Sequence, residues 1–205
     1  MKIKTTSYLT AAWLVLALLI SSACGGTDPS IASGGEASAA PAAAFSGAEG
    51  TATLNADTWS FEYAVAYQQA SDVDESKTDT WVVLSEEPID LAAVEGSGAM
   101  TFVQLALDRQ IAIVRLQICR EGCSFMASEH PWAAAAQVFS PSRAGFSMVP
   151  DRFIDLELEA DPSSGRVQGR VSTAELVDLQ GDMWSCDLRF GADISAGQPP
   201  QSPQS

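Results

Sequence analysis

The chain is poor in positive charge. It carries 11 Lys and Arg residues against 26 Asp and Glu, a formal net charge of −15. Such a field repels phosphate backbones and anionic head groups, which argues against nucleic-acid binding and against electrostatic membrane binding. Histidine is scarcer still, with His130 the only one. A Ser/His/Asp hydrolase would have to recruit that residue, and no Gly-x-Ser-x-Gly elbow supplies its nucleophile. His130 lies in Ser128-Glu129-His130-Pro131-Trp132, which reads as an exposed loop. The four cysteines, Cys24, Cys119, Cys123 and Cys186, lack the two-residue spacing of thioredoxin-like redox motifs and match no zinc finger or ribbon. The acidic stretch Asp72 to Asp79, with Asp74 and Glu75 between, lacks the Gly and terminal Glu of an EF-hand, and Lys77 opposes a cation there. It reads as a solvated loop. No internal repeat is visible at solenoid or propeller spacing. No metal and no cofactor is expected.

What is present begins at the N-terminus. Lys2 and Lys4 precede an apolar run from Tyr8 to Ile20, and Ser21-Ser22-Ala23 leads into Cys24-Gly25-Gly26. A charged start, an apolar middle and small residues before a cut describe a secretory signal. The run is shorter than the ~20 residues that span a bilayer core. A cysteine directly after the small residues resembles the signal of bacterial lipoproteins. Ser22 and Ala23 fit that family's pattern, while Ser21 stands where it usually has Leu. The resemblance covers this segment alone. It implies lipidation of Cys24 and attachment to the membrane through it. Gly25 stands where Asp would mark inner-membrane retention, which implies the outer membrane, with another envelope protein as partner. Two other readings stay open: cleavage by the ordinary signal peptidase, leaving a soluble secreted protein, and an uncleaved membrane anchor.

Residues 1–23 are thus read as the signal, 24–50 as a tether, 51–195 as one domain and 196–205 as a tail. The tether is Gly, Ala, Ser and Pro with few large apolar residues, too little to offset its ordering entropy. The tail is rich in Pro, Gln and Ser. Between them lies enough chain for a sizeable core. Loss of Lys2 and Lys4 with the signal lowers the basic count from 11 to 9 against 26 acidic residues, a net of −17.

The domain reads as mostly β. From Thr58 to Gln68, Trp59, Phe61, Tyr63, Val65 and Tyr67 alternate with smaller or polar residues, the period of a half-buried strand. Thr80 to Ser85 is apolar on both faces, which predicts a central strand. Ile111 to Cys119 puts Ala112, Val114, Leu116 and Ile118 on one face and Arg115 and Gln117 on the other. Phe153 to Ala160 and Arg166 to Thr173 flank the turn Asp161-Pro162-Ser163-Ser164-Gly165 and predict a hairpin. Trp184 to Ile194 alternates most regularly. Ala99 to Arg109 predicts one helix, with Phe102, Leu105, Ala106 and Arg109 on one stripe, and Pro131 to Ala136 a short turn. Many short strands predict an antiparallel β-sandwich with one short helix, and a small β-barrel is the alternative.

An exported protein meets an oxidising compartment, so one bridge is expected among Cys119, Cys123 and Cys186. Strand parity puts Cys186 on the buried face and Cys119 away from it, which favours Cys119–Cys123 over a bridge to Cys186. The aromatic stripe of Trp59, Phe61, Tyr63 and Tyr67 reads as core, or as a cavity lining if the fold is an open barrel. The carboxylates of Asp155, Glu157 and Glu159 read as the wet side of a sheet, and paired carboxylates are also the apparatus of glycosidases. The resulting expectation is an envelope lipoprotein whose β-domain binds or builds, with no catalytic residue assigned. A carboxylate-based hydrolase and a barrel-type carrier of a lipid or small apolar ligand are the alternatives.

Overall fold

A computed structural model describes residues 44–71, 74–123, 130–177 and 181–195. The alternating segments become ten strands: β1 Gly47–Leu54, β2 Asp57–Ser60, β3 Tyr63–Ala70, β4 Thr78–Ser85, β5 Ile113–Arg120, β6 Trp132–Phe139, β7 Phe146–Val149, β8 Asp155–Ala160, β9 Arg166–Val177 and β10 Met183–Ser195. Two helices, α1 Leu91–Val94 and α2 Ala99–Arg109, separate β4 from β5. The predicted helix therefore forms where expected. Its buried residues are Phe102, Val103 and Ala106, so the contact stripe is rotated from Leu105 toward Val103.

One half-sheet runs β2-β1-β10-β9-β8 and the other β3-β4-β5-β6-β7. They join where β10 pairs β3 over Ile194↔Ala66 and Ser195↔Tyr67, a short parallel contact in an otherwise antiparallel sheet. The fold keeps the two faced layers of a sandwich but links them into one curled, half-barrel sheet. The main core lies between the layers. Leu188, Phe190, Trp184, Val167 and Val171 from one layer meet Val82, Leu84, Val114, Leu116 and Ile118 from the other. A second core lies on the outer side of the β3–β7 layer, where Tyr67, Trp81, Val83, Ile113 and Phe139 meet Val94, Phe102, Val103 and Ala106. That double burial is why β4 is apolar on both faces, as its sequence predicts.

Three expectations need correction. First, β1 starts at Gly47, so the fold opens inside the segment read as tether. Ala48, Ala52 and Leu54 are its buried residues, and Ala is too small to mark an apolar face by composition. Gly50, at φ +120°, passes so close to β10 that a Cβ would collide with the Asp187 carbonyl.

Second, Thr58 to Gln68 is not one strand. At Phe61–Glu62 the chain changes partners: the Phe61 N–H donates to Gly50 O at 3.2 Å and the Glu62 N–H to Ser85 O at 3.2 Å. The chain passes there from one half-sheet to the other, and the parity shifts by one residue. Trp59 and Phe61 face the main core, as do Ala64 and Ala66, whereas Val65 and Tyr67 face the helices and Tyr63 is exposed.

Third, the turn predicted over Pro131 to Ala136 does not form: Trp132 to Ala136 begin β6. Its alanines have high helix propensity, and pairing with β5 on one side and β7 on the other overrides it. The alanines also let the strand lie close under the main core, where Ala134 and Ala136 are buried.

Candidate functional site

The outer face of the β3–β7 layer carries an unusual group. Arg115 lies mid-strand on β5 and is only 4% exposed. Burying a guanidinium is costly unless its donors and its charge are met. Nε and Nη2 donate to the Tyr67 phenol oxygen at 3.1 and 2.8 Å, and Nη1 donates to Gln137 Oε1 at 3.3 Å. The guanidinium carbon lies 3.6 Å from the centre of the Trp81 ring and 4.9 Å from that of Phe102. A desolvated cation over aromatic faces gains roughly 2 kcal/mol from such stacking. Burial pushes the Tyr67 phenol above its ordinary pKa; the Arg115 charge and hydrogen bond pull it back, and Glu95 pushes it further up.

A polar row continues the same face. Gln69 pairs across from Asp79 on β4, and Trp81 pairs across from Gln117 on β5. Gln117 Nε2 donates to Asp79 Oδ2 at 2.8 Å, and Asp79 is 3% exposed. Gln69 Oε1 is buried with no hydrogen-bond partner among the described residues.

Two further polar groups mark the ends of the domain. Where the chain enters, Phe45 is gripped by β9 and β10. Its N–H donates to Gln168 Oε1 at 3.0 Å, its carbonyl accepts from Arg166, and the Arg189 guanidinium carbon lies 4.7 Å from its ring centre. Gly191 permits the approach, because a Cβ there would collide with the Phe45 carbonyl. The end of β10 lies beside this grip, since Gly47 pairs across from Gly191. At the opposite end of β10, Asp182 joins the half-sheets. It accepts from Asn55 Nδ2 at 3.0 Å, from Ser147 Oγ at 3.2 Å and from Arg143.

The residues expected from sequence fall elsewhere. Cys24 and Asp72 lie outside the described residues. His130 is exposed ahead of β6. Asp74 is exposed and turned inward on its own loop, accepting from the Ser76 N–H at 3.0 Å and hydroxyl at 2.6 Å; these bonds hold its carboxyl below the usual range. Glu75 is exposed, and Asp79 belongs to the buried strand rather than to the loop. Among the described residues no group of three or more His, Cys, Asp or Glu is placed to hold a metal. Asp155, Glu157 and Glu159 are exposed on β8; hydrogen bonds from Gln168 and then Arg189 hold the Glu159 carboxyl below its ordinary value. Trp59 and Phe61 are separated from Tyr67 by the layer between the two cores. Cys119 and Cys123 stand at disulfide distance, S–S 2.24 Å and Cα–Cα 5.1 Å. Cys186 is free and buried, and desolvation pushes its thiol up to about 12.

The Arg115 cluster was not among the expected sites. Its only sequence signal is a charge inside the apolar run Ile111 to Ile118, and alternation alone sends that charge to solvent. No protein family, curated protein or solved structure matches this chain.

Proposed function

We propose that this chain is a bacterial envelope lipoprotein, held to the outer membrane through lipidated Cys24, whose β-domain binds a partner or ligand rather than catalysing a reaction. The observation that carries the reading is the N-terminal pattern of Lys2 and Lys4, the apolar run Tyr8 to Ile20 and Ser21-Ser22-Ala23 before Cys24. The acidic balance of the mature chain favours a domain that stands clear of anionic head groups.

The test is the intact mass of the mature protein from native bacterial membranes, with a Cys24→Ala variant beside it. A diacylglyceryl group on Cys24, and loss of the variant from the membrane fraction, is the expected result. An unmodified N-terminal Cys24 would make the protein a secreted one, and a retained Met1 a membrane-anchored one. Either would refute the lipoprotein reading.

A further inference from the structure

We infer that the Cys119–Cys123 pair is a reversible thiol–disulfide exchange site that opens at Cys123, in the folded domain, on reaction with a small thiol. The two sulfurs differ in access. Cys119 is 2% exposed within β5, whereas Cys123 is half-buried in the loop that follows. An attacking thiolate therefore reaches Cys123 Sγ first.

The second observation concerns the reduced form. Cys123 Sγ lies 3.1 Å from Gln117 O and 3.5 Å from Ala133 O. A disulfide sulfur carries no proton, so in the bonded state these are contacts only. Once the bond is broken the Cys123 sulfur moves away from the Cys119 sulfur, and Gln117 O and Ala133 O lie within reach as acceptors for its S–H. The loop between the cysteines also holds two residues in left-handed backbone, Glu121 at φ 67° and Gly122 at φ 114°. A non-glycine residue is rarely held in that conformation.

The exchange balances as follows. A thiolate, RS⁻, attacks Cys123 Sγ; an S–S bond forms between R and Cys123, and the Cys119–Cys123 bond breaks. The electron pair of that bond leaves on Cys119, which takes up the proton that the attacking thiol released. A second thiolate then attacks the external sulfur, giving RSSR and reduced Cys123. Two thiols are oxidised and one protein disulfide is reduced. Because the Cys119 thiol stays adjacent in a short ring, it recloses readily on a mixed disulfide. A dithiol reductant consequently opens the pair far more completely than a monothiol.

Cys186 provides an internal gauge of unfolding, since it is buried in the main core. The full chain is treated with dithiothreitol without denaturant, then iodoacetamide, and the labelled cysteines are located by peptide mass spectrometry. Label at Cys123, at least tenfold faster than at Cys186 and with an unchanged circular dichroism spectrum, is the expected result. In a parallel sample reduced but not alkylated, oxidised glutathione should re-form the pair, which iodoacetamide then leaves unlabelled. In a Cys119→Ser variant, oxidised glutathione should modify Cys123; in Cys123→Ser it should leave Cys119 at least tenfold less modified. Reduction that needs denaturant would overturn the inference. So would labelling of Cys123 and Cys186 at one rate, which would make opening a global unfolding event.

Discussion

Replacement of Tyr67 by Phe isolates the cost of burying Arg115. The substitution keeps the aromatic ring and its packing against the helices and removes one oxygen. That oxygen accepts from both Nε and Nη2 of Arg115. A hydrogen bond involving a charged group contributes about 1.5–3 kcal/mol, and a buried charged donor left without its acceptor costs at least as much. Two donors share this oxygen, so we expect a loss of about 2–3 kcal/mol. With a urea slope of roughly 2 kcal/mol per molar, the unfolding midpoint falls by about 1 M at unchanged slope. Arg115→Met and the double variant complete a cycle. The coupling should exceed about 1 kcal/mol, because removing the cation makes the phenol oxygen expendable. A midpoint within ~0.2 M of the parent, a shift too small to match a lost charged hydrogen bond, would refute the reasoning. It would mean that water or another acceptor meets those donors at no cost.

The same pair gives a pH dependence with a definite sign. The Tyr67 phenol is raised by burial, so the native state favours its protonated form. The stability linked to it is fully present below roughly pH 10, the ordinary tyrosine value, and is lost as pH rises through the raised one. Equilibrium unfolding between pH 8 and 11 should show a decline that Tyr67→Phe reduces; an equal decline in both proteins would count against it. The exposed carboxyls of Asp74, Glu159, Asp161 and Asp187 are all held low, chiefly by hydrogen bonds. Their contribution is present above the ordinary carboxylate range and fades as pH falls below it. Acid titration of the unfolding midpoint should show that fade. Gly50→Ala should cost more than ~2 kcal/mol, since it combines a strained φ with the Asp187 carbonyl, whereas Gly165→Ala, at φ +80° with open space, should cost about 1 kcal/mol. Equal melting temperatures for the two variants would show that β1 gives way easily at Gly50.

The strands that were legible are those with large residues on one parity. β10 reads directly because Trp184, Leu188 and Phe190 alternate with Ser185, Asp187 and Arg189, and its two faces are core and solvent as the pattern requires. β8 and β9 read for the same reason. β1 was hidden because its inward residues are mainly alanines, and β6 because a row of alanines has no period. Both exist through their neighbours: β1 pairs with β10 along its whole length, and β6 fills the gap between β5 and β7. The break at Phe61–Glu62 has no local marker, since the alternation of aromatic residues continues straight through it. Only the exchange of partners from Gly50 to Ser85 reveals it.

By itself the amino-acid order determined the class of the fold, the α2 helix, most of the inward faces and the cysteine pair that parity favours. These follow from periodicity and from sequence-local geometry, in which a residue's environment is set by neighbours a few positions away. Only the tertiary structure decided that the two layers join through β10 and β3, and that the far face of β5 is covered by α2 rather than by water. That covering turned Arg115 from an apparent surface charge into a buried cation held by Tyr67, Trp81 and Gln137. The contacts responsible run between strands and helices distant along the chain, and alternation says which residues share a face but not what covers it.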